Sequence, residues 1–387
     1  MANKIVIYCP DKHISYNIFT LNQIGVGGGI TARVRIAHAL ARRGHKVHLY
    51  VNCPLNGIIE GVNYFHFSEY RKVDADIFIA STSGDGLDLS SISGSKINAR
   101  IKILLLHGDA KPKGYENTYF DFIYSPSNYI NQKVTTNWRL PENRLFVTHR
   151  GIEDDLFNQE REHPPIRDQH RLIYAGHPSK GMDTAIALLR ILQGHDPYFS
   201  LHIFGGNQLW GQPQEKRVDE PGVFFHGLIG QKNLALQMQK SSFSINLQSR
   251  EEPFGMVVTE SMRAGCIVLA SSVGAYPELI QNDRNGFLIP GVHTHPATIN
   301  LAAETILASM KDPKHISWMR RNAIVAPIKW DIVARAWEGH WNWFLDPFRE
   351  KILNQGFDYR HCPICKDRLL QLADGLHCYD CGNYLRI

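Results

Sequence analysis

The chain has 387 residues, of which 43% are hydrophobic and 20% charged, and a formal net charge of +5. That length exceeds one ordinary domain and predicts two, and the composition excludes a disordered or fibrous chain. The charge is too weakly basic to demand a nucleic acid partner, while allowing loose attraction to an anionic membrane surface.

In chain order, residues 4–8 predict a first strand. Ile24-Gly-Val-Gly-Gly-Gly-Ile30 then opens a helix to about Arg43, with Val34, Ile36, Ala37 and Leu40 at helical spacing and Gly44 as its stop. With a second strand at 46–51 this is the opening of a nucleotide-binding βαβ unit. A dinucleotide-binding dehydrogenase is disfavoured, because Ile30 stands where the third glycine of that fingerprint belongs. The second strand also ends in Asn52-Cys53, without a ribose-binding acid. Further strands are expected at 76–80, 101–106, 120–124 and 145–148, with a helix at about 127–136. Asp74-Ala-Asp76 resembles a manganese-binding tripeptide, but it precedes an apolar strand and reads as strand entry.

The polar stretch 158–169, with Pro164-Pro165, reads as a linker. A second α/β series follows: strands at 171–176, 200–204, 223–227, 242–247, 267–272, 277–280 and 286–289, with helices to about Gln193, at 231–240 and near 297–310. The predicted units are 1–165, 166–325, an aromatic-rich helical region at 326–357, and a small unit at 358–387. In the aromatic region, Trp330, Trp337, Trp341, Trp343 and Phe344 are expected to pack a helix onto the body; membrane or sugar stacking is the alternative. No apolar run reaches the ~20 residues of a spanning helix. The amino terminus shows no signal-peptide pattern. The expectation is a cytoplasmic protein, with peripheral contact at the inner membrane face left open.

The chain is organised around 249–266. Glu252 and Glu260 stand eight positions apart, with Pro253-Phe254-Gly255 directly after the first. Apolar strands on either side make this a loop feeding a helix within a βαβ unit. The helix start leaves N–H groups free near Gly255, Met256 and Val257, a ready place for phosphate oxygens. A carboxylate on each side suits hydroxyl groups, since an ionised carboxylate only accepts hydrogen bonds. Phosphates in the middle and hydroxyls at both ends describe a nucleotide sugar.

Glu252-Pro-Phe-Gly-(x)4-Glu260, continued by Ser261-Met-Arg-Ala-Gly and by Gly274-Ala-Tyr-Pro-Glu278, resembles the signature of the retaining glycosyltransferases of family 4. The resemblance covers about residues 1–345. It implies an α/β GT-B fold, two Rossmann-like domains facing a cleft, and no catalytic metal. It also implies that Glu252 contacts the transferred sugar, Glu260 holds the nucleotide ribose, and the amides after Phe254-Gly255 (Gly255, Met256 and Val257) bind phosphate and sugar. Gly27, Gly28 and Gly29 would approach the diphosphate from the opposite side, His107 would lie near the reacting centre, and Leu228 and Ile229 would clasp the base. The family's usual arginine after the first strand of the second domain is replaced by His177, and Lys180 follows at a shorter distance than usual. Lys180 is expected to keep the phosphate role, with Arg150 as a helping cation. The expected donor is a UDP-, GDP- or ADP-sugar, and the expected acceptor a glycan or glycolipid.

Cys362-Pro-Ile-Cys365 and Cys378-Tyr-Asp-Cys381 predict a four-thiolate structural zinc site in a small ribbon. Cys9, Cys53 and Cys266 read as buried thiols. The ribbon leaves two rival readings open: a transferase acting on nucleic acid or protein presented by the ribbon, or a non-catalytic nucleotide-sugar-binding scaffold.

Overall fold

The computed structural model describes residues 2–71, 74–83, 87–92, 97–158, 165–213 and 219–345, together with the backbone of 369–372, 375–378 and 384–385. The amino-terminal sheet holds β1 (Lys4–Tyr8), β2 (Lys46–Val51), β3 (Gly57–Ile59), β4 (Val62–His66), β5 (Asp74–Ser81), β6 (Asn98–Leu105), β7 (Phe122–Ser125) and β8 (Leu145–Val147). Their order is β3-β4-β2-β1-β5-β6-β7-β8, parallel throughout except for the antiparallel β3–β4 pair. Helices α1 (Ile18–Gln23), α2 (Gly28–Arg42) and α3 (Asn128–Trp138) belong to this half.

The second sheet runs β11-β10-β9-β12-β13-β14 and is parallel throughout. In chain order it comprises β9 (Asp168–Gly176), α4 (Met182–His195), β10 (Ser200–Gly205), β11 (Val223–Gly227), α5 (Gln231–Lys240), β12 (Ser241–Asn246), α6 (Met256–Arg263), β13 (Ile267–Ser271), α7 (Tyr276–Leu279), β14 (Phe287–Ile289), α8 (Pro296–Met310) and α9 (Pro313–Val325). All six residues of β12 are buried although four are serine or asparagine: Phe243 and Ile245 pack in one core with α4 and α8, and Ser244 Oγ lies 2.9 Å from Ser261 Oγ of α6. The strand order reverses between β9 and β12, and in such sheets ligands bind beyond the strands' carboxyl ends at that reversal.

Helix α10 (Trp330–Leu345) returns to the amino-terminal half. Trp330, Trp337 and Trp341 are buried in the same core as β1, β5 and β6. Trp337 donates from Nε1 to Thr148 at 2.7 Å. These three tryptophans therefore pack the fold and are not offered to a membrane or a sugar.

The structure departs from the sequence reading at four places. Residues 277–280 are not a strand: Tyr276–Leu279 is a helical turn. Proline is favoured at the start of a helix, where its missing N–H has no partner to lose, and Pro277 sits in the first turn of α7. Helix α1 arises in a segment without an apolar stripe, because Asn17 and Thr20 form a reciprocal capping box. The β3–β4 hairpin and α9 were likewise not anticipated. Asp74 and Asp76 enter β5, and Asp76 accepts from the Lys4 amide at 2.8 Å, a strand-edge role. Near the carboxyl end, β15 (Leu369–Leu372), β16 (Gly375–Cys378) and β17 (Tyr384–Leu385) form a three-stranded antiparallel sheet. Cys362, Cys365 and Cys381, and the side chain of Cys378, lie outside the described residues. Among the described residues no helix is long and apolar enough to cross a membrane.

Candidate active site

The loop from β12 to α6 is held in shape before any ligand arrives. The Gln248 backbone N–H donates to Ser271 Oγ at 2.9 Å, and its side-chain amide donates to Tyr276 Oη at 2.6 Å and to Glu252 Oε2 at 3.3 Å. The Ala275 amide donates to the Glu252 carbonyl at 2.9 Å. Gly255 takes φ +104°, and a methyl group there would lie 2.7 Å from the Tyr276 ring, so the turn into α6 accepts glycine alone. Gly255 is the N-cap of α6 and has no side chain to accept from the first amides. The first amides of α6, from Met256 onward, thus point their N–H groups and the positive end of the helix dipole at the crevice. Phe254 is buried behind them, its ring centroid 5.7 Å from that of His149.

Glu252 and Lys180 meet at this point, Nζ to Oε2 at 2.7 Å, with 29% of the lysine side chain and 14% of the glutamate exposed. Lys180 closes a short 3-10 turn, Pro178–Lys180, whose start is capped by His177: the ring Nδ1 accepts from the Ser179 amide at 3.2 Å. Gly181 then needs φ +91°, and a methyl group on it would strike the Leu247 carbonyl oxygen at 1.8 Å. Close apposition of this turn to β12 puts the lysine over the glutamate. His177 stacks on Trp210, ring centroids 3.5 Å apart, and so packs and caps where the resemblance expects a cation. Arg250, two residues before Glu252, lies 5.0 Å from the same indole.

Glu260, in the second turn of α6, accepts from Gln231 Nε2 at 2.9 Å. Burial pushes its carboxyl up to about 7, against the opposing pull of Arg35 and of the Gln231 hydrogen bond.

The facing wall belongs to the amino-terminal half. A methyl group at Gly28 would lie 3.5 Å from the Met256 sulfur, one at Gly29 would lie 3.5 Å from the His107 ring, and one at Gly27 would lie 3.6 Å from the Leu209 carbonyl. The glycine loop therefore approaches the start of α6 closely. His107 is gripped at both nitrogens: Ser81 Oγ is 3.1 Å from Nε2 and Arg150 Nη2 is 3.3 Å from Nδ1. An arginine only donates, so Nδ1 is the acceptor and the proton sits on Nε2. Burial, with Arg150 and Arg33 nearby, holds this imidazole well below the usual histidine range, hence neutral. Arg150 itself is buried and donates to the Leu106 carbonyl; desolvation and then Arg33 bring its pKa down to about 9. It supports His107 from behind.

Leu228 and Ile229 stand against the glycine loop. A methyl group at Gly25 would meet the Ile229 carbonyl oxygen at 2.1 Å and Leu228 Cδ1 at 3.4 Å. The second half touches the first again at α3, where the Asn128 and Tyr129 amides donate to Glu278 at 2.8 and 2.6 Å. Gln248, Tyr276, Gln231 and Arg35 were not singled out from the sequence. None has a motif, and only Tyr276, beside Pro277-Glu278, lies within the family-like run.

Residues 158–324 match the family model of glycosyl transferases group 1. An uncharacterized glycosyltransferase of Methanocaldococcus jannaschii is 28% identical over 177 residues, covering 45% of this chain and 46% of that protein. The chain spans about half the length of the curated relatives it matches. Among solved structures, a glycosyltransferase from Rickettsia africae superposes with a TM-score of 0.65 at 14% identity, covering 89% of this chain and 99% of that one. The Anabaena protein HepE in complex with UDP-glucose gives 0.56 at 16% identity, covering 86% and 97%. At such identities the likeness is one of fold, and the fold is the two-sheet GT-B architecture.

Proposed function

We propose that the protein is a retaining glycosyltransferase that moves a sugar from a nucleotide-sugar donor to a hydroxyl of a glycan or glycolipid. The observation that carries this reading is the uncapped start of α6 at the strand reversal, with the Lys180–Glu252 pair on one side and Glu260 on the other. It is supported by the group 1 match over 158–324. A UDP-sugar is the favoured donor class, on the strength of HepE's complex with UDP-glucose.

In this reading the diphosphate lies across the α6 amides with Lys180 beside it. Glu252 accepts from hydroxyls of the sugar, and Glu260 accepts from those of the ribose. Breaking the anomeric bond leaves negative charge on the diphosphate, and prearranged N–H groups and a cation stabilise charge that develops in a dry site. The anomeric carbon becomes oxocarbenium-like. The acceptor oxygen attacks from the face the phosphate leaves, and the departing phosphate takes its proton, so no protein nucleophile is required. His107, neutral and held at both nitrogens, shapes the wall of the reacting centre.

The test is release of UDP, GDP or ADP from the corresponding nucleotide sugars. Slow hydrolysis of one of them without acceptor, accelerated by a glycan or glycolipid extract, is expected. Neither binding nor turnover of any would overturn the reading. A structural zinc on Cys362, Cys365, Cys378 and Cys381 is part of the proposal, supported by the cysteine spacing and the antiparallel strands β15 to β17. Elemental analysis should find one zinc per chain, lost when Cys362 and Cys365 become serine.

A further inference from the structure

Glu260 is oriented by a residue of another helix, and that residue is oriented by the opposite half of the molecule. Gln231, the first residue of α5, donates from Nε2 to Glu260 Oε1 at 2.9 Å. Its own Oε1 accepts twice from Arg35 of α2, from Nε at 3.0 Å and from Nη2 at 2.7 Å. A guanidinium has only donors, so the amide oxygen must face Arg35 and the amide NH2 must face Glu260. Arg35 is fixed in turn: Nη2 also donates to Asn22 Oδ1 at 2.7 Å, and Nη1 lies 3.5 Å from Glu153 Oε2. It is 5% exposed.

The backbone around this chain of contacts is pressed together. A methyl group at Gly230 would meet the Asn22 carbonyl oxygen at 1.9 Å, and one at Gly25 would meet that of Ile229 at 2.1 Å. The seam between residues 22–25 and 228–231 therefore has to be closed for Arg35 to grip Gln231. Among the described residues no donor besides Gln231 reaches the Glu260 carboxylate. A direct Arg35–Glu260 ion pair would tie up both oxygens. The interposed neutral amide pins the carboxylate's rotation at one oxygen and leaves the other to accept from a ligand.

We infer that Gln231 and Arg35 are positioning residues that aim Glu260 at the ribose hydroxyls of the donor, so that ribose recognition depends on the closed seam between the two halves. The inference rests on the glycosyl-transfer reading above and adds to it a means by which one half of the molecule adjusts a ligand-binding group on the other.

Calorimetric titration of the full-length protein with UDP, GDP and ADP, each against its 2′,3′-dideoxy form, tests it. The parent protein is expected to bind one ribonucleotide more tightly than its dideoxy form. Gln231→Leu should weaken the ribonucleotide about tenfold, the equivalent of one oriented hydrogen bond, and leave the dideoxy form unchanged. Arg35→Lys, which keeps the charge and loses the two-pronged grip, should give a smaller loss confined to the ribonucleotide, and it carries the test should Gln231→Leu fail to fold. Equal factors on both forms, or no effect on either, would reduce the two residues to structural parts and overturn the inference while the donor reading stands. A parent protein that binds none of the three nucleotides would overturn both.

Discussion

On the amino-terminal wall of the cleft, Arg33 is fully buried and each of its guanidinium nitrogens is engaged by protein. Nε donates to Ser81 Oγ at 2.9 Å, Nη1 to Asp11 at 3.0 Å and to Tyr16, and Nη2 to the Thr82 carbonyl at 2.8 Å. On the facing wall Lys180 meets one carboxylate oxygen and remains 29% exposed. The first arrangement is fully buried and closed to a ligand. Through Ser81 it reaches His107, and so sets the shape of the wall. The second can exchange a carboxylate for a phosphate with little desolvation, because water already reaches it. Exchangeable and fully engaged charges are thus divided between the two walls of the cleft.

Arg33→Met should break the rigid side. Removing one partner of a buried ion pair leaves Asp11 uncompensated, and a loss of about 3–5 kcal/mol in urea unfolding is expected. A loss below about 1 kcal/mol would show that the buried network does not hold the wall.

Lys180→Met tests the other side. Transfer should fall by about a hundredfold or more, as when one prearranged charge-stabilising donor is removed. Stability should change by less than about 1 kcal/mol, since the pair is partly exposed. Equal stability losses in the two variants would erase the contrast between the walls.

Glu260→Gln sharpens it through the pH dependence of stability. The folded carboxyl is raised from 4.5 to about 7. The folded state therefore holds a proton that the unfolded chain has released, and stability from this group is present below about 4.5 and lost as pH rises to about 7. Relative to the parent, Glu260→Gln should be equally stable near pH 4.5. Above pH 7 it should be more stable, by up to about 3 kcal/mol, the free energy of moving a carboxyl from 4.5 to about 7. A parent-to-variant difference that does not change with pH would mean that Glu260 is charged at no cost in the fold.

Much of this was legible in the chain. Apolar runs at 4–8 and 101–106, and the alternating segment at 242–247, became strands of parallel sheets covered on both faces. The Glu252-Pro-Phe-Gly-(x)4-Glu260 spacing placed one carboxylate in a loop and the other on the helix after it. The reading failed at 277–280, where the short Pro-Glu-Leu-Ile segment fits a strand or a single helical turn, and Pro277 decided for the turn. It also offered Arg150 to the phosphate, whereas the fold sets that arginine behind His107.

Local pattern thus determined which segments are strands, where the chain turns, and which carboxylates stand beside a helix start, since periodicity and turn chemistry act over a few residues. The tertiary structure alone decided which charges are engaged and which can be exchanged. Arg35 and Gln231 are 196 residues apart in the chain, and Lys180 and Glu252 are 72 apart. Whether such groups meet depends on how two sheets and their connecting turns close on one another. Hydrogen bonding and desolvation then depend on distances of a few tenths of an ångström, which no spacing along the chain encodes.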